Sequence, residues 1–351
     1  MKTNTIVRIV GVGGGHGLST VLRGLKRAAI KQGAGGADWD VQISAVVTTA
    51  DNGGSTGRLR RHLGIPAVGD IRNCMAALSD SEPPLCDLFQ YRFRGGNGLQ
   101  GQVVGNLILA AYCEEHGSLA KASQQASGLL HASGRVLPVT DSPVTLCAAF
   151  ADGSVVRGEA QIPLQRGRIT RVWLEPCTPP ASGGVLQSLV FSDLIVLGPG
   201  SLYTSVVPNL LVDGVADAIR LSSALKVYVC NLMTQPGETD GFTAADHLRV
   251  LSEYLEGGLI DVCILSSGAI PDDRRARYAA LGAAPVRNDV REIGQMGTAP
   301  LAANLLSRED CDEVKHDCDR LGELLLLLAR RQRPELAVKR SPTPPLTLIA
   351  R

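Results

Sequence analysis

The chain has 351 residues, enough to bury a large core in one big α/β domain or in two smaller ones. Its 35 Lys and Arg stand against 34 Asp and Glu, without the basic excess of a dedicated nucleic-acid binder, so no nucleic-acid partner is expected. A hydrophobic content of 44% with 39 glycines fits a glycine-rich α/β protein, and no apolar stretch reaches the ~18 residues of a membrane span.

Residues 6–12 form an apolar β-type run with no long signal-like apolar region before it. The run ends in GVGGGHGLST, residues 11–20, and opens into a helical pattern with Leu18, Val21, Leu22 and Leu25 on one face. A strand that ends in glycines and turns into a helix suits a phosphate. Glycines let the backbone approach closely, and the helix start offers free N–H groups at a positive dipole end. His16 stands where a dinucleotide fingerprint carries glycine, which weakens a nicotinamide reading, and the loop has no Walker A lysine, which excludes a P-loop kinase. A generic anion cradle and a tight turn without ligand both remain open.

A second run, 41–47, leads into TTADNGGSTGRLR, 48–60. Asp51, at a strand's carboxyl end, is a candidate to hold a divalent metal such as Mg²⁺ against a diphosphate, and Asn52 adds a neutral oxygen and a donor. Arg58, Arg60 and Arg61 read either as a phosphate counter-charge or, more simply, as a solvated helix face. GDIRN, 69–73, puts Asp70 at a helix start, where it reads as an N-cap.

Residues 80–135 read as mostly helical. Residues 144–150 and 155–162, joined at Asp152-Gly153, read as a β-hairpin, with a short strand following at 169–174. Segment 81–180 is therefore expected to be a helical and β-hairpin insertion, with 1–80 and 181–330 as the core. Further runs at 194–197, 227–230 and 262–265 continue a strand–helix alternation that argues for a parallel sheet with helices on both faces. Ligands of such sheets bind at the carboxyl ends of the strands, so the strand-end loops should converge on one crevice.

Two later loops fit that expectation. In 193–211 a strand meets Gly198, Pro199, Gly200 and Ser201, then Tyr203, Thr204 and Ser205, a second anion-type loop. In 231–247 the residues Asn231, Thr234, Gln235, Glu238 and Thr239 crowd another strand end, a density that folding alone does not demand. Near the C-terminus Lys315, His316 and Asp317 precede an apolar helix; taken alone, Asp317 reads as its cap and His316 as a surface residue. The nine cysteines form no C-x-x-C and mostly sit in apolar runs, so buried thiols in a cytoplasmic protein are expected, without zinc or disulfides. The Pro-rich, basic tail 331–351 is expected to be disordered.

Together these segments resemble the YvcK/CofD family, and within it the YvcK branch. The resemblance rests on GGGHGLSTVLRGLK, TTADNGGSTGRLRRHLGIPAVGDIRNCMAALSD, QYRF, GNLILAA, GRVLPVT, DLIVLGPGSLYTSVVPNLLV, NLMTQPGETDGFTAADH and KHD, in order across roughly residues 6–320. It implies a three-layer Rossmann-like α/β core with a mostly parallel sheet, a smaller appended part, and one crevice for a nucleotide-type ligand. The CofD branch transfers a phospholactyl group from a guanylylated donor to a deazaflavin with a divalent metal. The YvcK branch binds UDP-sugars such as UDP-N-acetylglucosamine and is linked to cell shape and cell-wall precursor supply during gluconeogenic growth. The expected partners are thus a UDP-sugar and a cell-wall synthesis protein, with a homo-oligomer also in view. A 2-phospho-L-lactate transferase-type enzyme is the alternative.

Carried over by resemblance, Gly13, Gly14, Gly15 and Gly17 form the phosphate cradle and Asp51 the metal or diphosphate acid. Gly200, Ser201 and Thr204, with Asn209 nearby, supply the second loop; Asn231, Gln235 and Glu238 line the remaining wall; Lys315, His316 and Asp317 help hold the UDP-sugar. Four positions depart from the family pattern. His16 replaces a threonine, Asn52 the second acid, Lys315 an arginine, and Cys318 stands where the branch can carry a phosphorylatable threonine.

Overall fold

The computed structural model describes residues 5–35, 39–309 and 313–333. Residues 334–351, the bulk of the expected tail, lie outside the described residues. The strands are β1 (Thr5–Gly13), β2 (Trp39–Val47), β3 (Arg135–Pro138), β4 (Thr145–Phe150), β5 (Val155–Arg157), β6 (Ile169–Glu175), β7 (Leu194–Leu197), β8 (Leu225–Val229), β9 (Val262–Ser266) and β10 (Ala299–Ala303).

Seven of them form a parallel sheet in the order β10-β9-β8-β7-β1-β2-β3. The side-chain alternation of β1 shows why the chain adopts three layers. Val7 and Ile9 join one buried cluster, with Leu18 and Leu22 of the Gly15–Ala34 helix and Leu321 and Leu325 of the Cys318–Arg331 helix. Val10 and Val12 point the other way, into a cluster with Leu202, Leu248 and Leu251. A strand apolar on both faces needs a cover on each, and the near-continuous apolar runs of the parallel strands meet that need. The expected three-layer parallel core is what forms.

The strand order reverses at β1. From it the chain builds outward through β2 and β3 on one side and through β7 to β10 on the other. The carboxyl ends of β1 and β7 therefore flank a topological switch point, where a crevice opens because the loops depart in opposite directions.

Two edge strands escaped the sequence reading. β3 is four residues long and ends at Pro138, and β10 reads APLAA, with no β-branched residue. Segment 81–180 thus supplies β3 to the main sheet besides its helices and a separate antiparallel sheet of order β5-β4-β6. The expected strand 155–162 stops at Arg157. Gly158 takes φ of 99°, and Glu159–Gln165 wind into a 3₁₀ helix that contains Pro163.

The first and last helices pack through their glycines. A Cβ on Gly24 would stand 2.0 Å from the carbonyl oxygen of Cys318, and one on Gly322 would stand 2.1 Å from the carbonyl carbon of Gly24. Only a bare backbone permits that approach, which brings the 315–318 segment beside the start of the first helix. Among the described residues no helix is long and apolar enough to cross a membrane.

Candidate functional site

The glycines after β1 are dictated first by close neighbours, backbone at Gly17 and side chains at Gly14. A Cβ on Gly17 would lie 2.1 Å from the Pro199 carbonyl oxygen, and one on Gly14 would lie 2.6 Å from both Asp70 Oδ2 and Thr48 Cγ2. Gly15 takes φ of 60°, a left-handed conformation that favours glycine. Gly14, the N-cap of the first helix, brings no capping side chain, and the Gly15 N–H lies on the Asp70 carboxylate, so the remaining leading N–H groups and the positive dipole end face the crevice. Asn209, fully buried, donates through Nδ2 to the Gly13 carbonyl at 3.2 Å and to the Ser205 carbonyl at 2.8 Å. It ties the two loops together from below and lines neither cavity described next.

The β7 loop is clamped from β8. Gly200 N–H donates to Asn231 Oδ1 at 3.0 Å, and Asn231 Nδ2 donates back to the Gly200 carbonyl at 2.8 Å. Gln235 Nε2 donates to Ser201 Oγ at 2.7 Å, and Thr204 Oγ1 donates to Glu238 Oε1 at 3.0 Å. Burial pushes the Glu238 carboxyl up to about 7. Much of the polar density of 231–239 therefore holds the neighbouring loop in shape.

On the β7 side of the cradle lies a cleft of about 700 Å³. Its walls include His16, Gly17 and Gly200, then Asn231 and Gln235, and opposite them Lys315, His316 and Asp317. Asp317 caps the last helix, accepting from Arg320 N–H at 3.1 Å, and Lys315 Nζ sits 2.7 Å from the Glu313 carboxylate. His316 is half-buried in the cleft wall. Its Nε2 is enclosed and without a partner among the described residues, and burial lowers its pKa to about 4 against a weaker opposing contact with the Cys230 backbone. The ring is neutral at pH 7 and sits in the cleft wall with its Nε2 enclosed.

On the β2 side lies a second cavity of about 300 Å³, which shares Gly15's neighbour His16 with the first. Asp51, Asp70 and Glu159 line it together with Arg72 and Arg92. Burial and then the Asp51 charge raise Asp70 to about 7. Burial, then Asp51, Asp70 and Glu238, raise Glu159 to about 8. Three acids converge where residue reasoning named only Asp51. Asp70 had read as a cap, and Glu159 sits on the 3₁₀ turn that had read as strand. Asn52 turns away instead. Its Oδ1 accepts from Ala160 N–H at 2.9 Å, bracing the loop against the small sheet. Of the arginines that follow, Arg60 is structural. Arg60 donates to the Asp51 carbonyl at 2.9 Å and to the Val144 carbonyl, and Arg61 is exposed.

Among the described residues no group of three or more His, Cys, Asp and Glu side chains is arranged to hold a metal ion. Mg²⁺ at a phosphate site takes one or two carboxylates and fills its remaining positions with ligand oxygens and water. Asp51 and Asp70, in one cavity and with Asp70 raised by the other's charge, suit that use. A further cavity of about 810 Å³ opens at the opposite end of the sheet, beside Arg8, Arg135 and Asp193, and contains none of the expected residues.

The fold and the switch-point crevice are those of a Rossmann-like α/β protein. Residues 9–306 match the family described as 2-phospho-L-lactate transferase CofD, and the chain belongs to that family. It is 43% identical over 326 residues to the gluconeogenesis factor of Halalkalibacterium halodurans, covering 93% of this chain and 96% of that one. It is likewise 43% identical over 318 residues to the gluconeogenesis factor of Bacillus subtilis, covering 91% and 96%. The crystal structure of a UPF0052 family member from Bacillus halodurans superposes with a TM-score of 0.85 at 40% identity, covering 92% of this chain and 99% of that one. The family that the motifs resemble is the family that matches.

Proposed function

We propose that this chain is a cytoplasmic regulatory protein that binds a UDP-sugar of the UDP-N-acetylglucosamine type and relays its level to cell-wall synthesis and cell shape. The observation that carries the reading is the 700 Å³ cleft. It joins an uncapped helix start and a clamped glycine loop on one side to a Lys-His-Asp segment on the other. The diphosphate lies against the helix start at His16 and Gly17, beside the Gly200 loop that Asn231 holds in shape, where helix N–H groups and the dipole end replace water around the charge. Lys315 supplies a positive charge without the bidentate fork of an arginine. Neutral His316 contributes a directional hydrogen bond from its enclosed nitrogen. The relatives named gluconeogenesis factors support a regulatory place in carbon use. Asp51 and Asp70 would hold a Mg²⁺ ion on the β2 side of the cradle, where it would supply positive charge to a phosphate group.

The second reading is a phosphate-ester transferase of the 2-phospho-L-lactate transferase type. It is favoured by the family description and by the acid cluster of Asp51, Asp70 and Glu159 beside the cradle. Phosphoryl chemistry relies on positioning and charge stabilisation more than on a strong nucleophile, and these acids would serve it by holding a divalent cation beside Arg72 and Arg92. Calorimetric titration with UDP-N-acetylglucosamine, UDP-glucose and GTP, each with and without Mg²⁺, separates the two. The regulatory reading expects UDP-selective binding without turnover. Guanine-selective binding with Mg²⁺-dependent turnover replaces it with the transferase.

A further inference from the structure

We propose that the cavity of about 810 Å³ at the amino ends of the strands is a second binding site, which takes a small dicarboxylate. Among the described residues it shares no lining residue with the main cleft, so the inference stands apart from the sugar-nucleotide reading.

The floor of the cavity carries the inference. Val10, Val46 and Leu137, on three adjacent strands, point into one buried cluster. Two residues earlier on each strand, Arg8, Ser44 and Arg135 share that face, and Gln42 precedes Ser44 by two more. The opposite face of the same stretch carries Ile9, Ile43 and Val136, all buried in the other cluster. β1 and β2 are interior strands of the sheet, where a covered face reads apolar throughout. Here one face turns polar on three neighbouring strands at once. Burying such groups without partners is costly, so this stretch is built to stay uncovered, and its side chains floor the cavity.

Two charges on that floor are uncommitted. Arg8 and Arg135 line the cavity, yet neither side chain makes an ion pair or a hydrogen bond among the described residues. The one acid among the described lining residues is Asp193, and it is engaged. Its Oδ2 accepts from the Arg8 backbone N–H at 2.7 Å, and its Oδ1 sits 2.8 Å from Arg333 Nε. Arg8, Arg135 and Arg333 against one aspartate leave the lining positive. The Arg135 guanidinium is seated against Gly184, where an added Cβ would stand 3.0 Å from Nη2.

The layout selects the anion. Arg8 pairs with Gln42 and Ser44 with Arg135, so the two arginines flank β2 with Cα atoms about 12 Å apart. Two separated forks each match a carboxylate, rather than closing on a single phosphate. None of the described lining residues begins a helix, so the cavity lacks the backbone N–H cradle that a phosphate favours. Gln42 and Ser44 lie between the forks as neutral donors. Val190 and Phe191, 45% and 63% exposed, give the wall an apolar surface for a short carbon chain, which an inorganic anion does not need. The volume is that of a small-molecule site.

Calorimetry on the full chain tests the site. Malonate, succinate and glutarate are titrated into wild-type, Arg8→Gln and Arg135→Gln protein, alone and with saturating UDP-N-acetylglucosamine, with acetate and inorganic phosphate as controls. Circular dichroism checks the fold. The expected result is saturable binding of at least one dicarboxylate, tighter than acetate or phosphate and undisturbed by the sugar nucleotide. Either substitution weakens it about tenfold, through loss of one charge-assisted pair. Arg135→Gln, at an exposed position, decides the matter if Arg8→Gln does not fold. No binding of any of the three, equal binding of acetate or phosphate, displacement by the sugar nucleotide, or indifference to either folded variant overturns the inference. Dicarboxylate binding through Arg8 and Arg135 in a chain that ignores UDP-N-acetylglucosamine refutes the sugar-nucleotide reading and upholds this site.

Discussion

Gly17 offers the sharpest test of how the crevice is built. A Cβ added there would stand 2.1 Å from the carbonyl oxygen of Pro199, 2.6 Å from its carbon and 3.0 Å from the Gly200 nitrogen. All three are backbone atoms of the β7 loop, so no side chain can swing aside. The loops must separate by about 1 Å to restore van der Waals distance, against the Asn231 clamp and the Asn209 tie. Forced overpacking costs about 1–3 kcal/mol, and a backbone clash belongs at the upper end. Replacing a helical glycine by alanine returns about 1 kcal/mol, so Gly17→Ala should lose about 2 kcal/mol net. Gly33 is the internal control, because it lies in the same helix with nothing within 4 Å of an added Cβ. Gly33→Ala should gain about 0.5–1 kcal/mol. Urea denaturation of the three proteins reads both changes, and titration with UDP-N-acetylglucosamine reads the loss of cradle geometry in Gly17→Ala alone. Equal stability and equal binding of Gly17→Ala and wild type would refute the claim that the two loops meet backbone to backbone.

Other expectations follow from the same geometry. His316 has a folded-state pKa near 4 against 6.5 unfolded, so the unfolded chain binds the extra proton between those values and stability falls as pH drops from 6.5 toward 4. His316→Gln should remove up to about 3 kcal/mol of that loss, read by urea midpoints at pH 7 and pH 4.5. Glu159 has the opposite sign. Its pKa is raised from 4.5 to about 8, so its cost to folding grows as pH rises through that range. Glu159→Gln should therefore be more stable than wild type above pH 8 and indistinguishable from it below pH 4.5, and a pH-independent difference would contradict the buried-acid cluster. Asn52→Asp keeps an acceptor for Ala160 N–H and puts its charge outside the cavity, so it should gain no Mg²⁺-dependent turnover in a phosphate-release assay.

The central strands were legible because burial on both faces leaves a dense apolar signature, as in β1 and β7. The glycine loops were legible because few folds tolerate such backbone except at a strand-to-helix turn. β10 and β3 were not, since an edge strand of four or five residues is defined by its neighbour more than by its own composition. The cleft residues followed from motif and resemblance, but their division of labour did not. Nothing in the letters separates Asn231, which clamps Gly200, or Asn209, which ties two loops from below, from a side chain that faces a ligand. Arg72 hid in the same way. Only the packed network shows that its partners are amides and that it shares a cavity with Asp51, Asp70 and Glu159.

The account turns on the occupant of the 700 Å³ cleft. Calorimetric titration of the full chain with UDP-N-acetylglucosamine, repeated on Lys315→Ala, measures it most directly. Saturable, UDP-selective binding that Lys315→Ala weakens, with the nucleotide recovered intact, is the predicted result. No heat up to millimolar ligand, or guanine selectivity with Mg²⁺-dependent turnover, would contradict it.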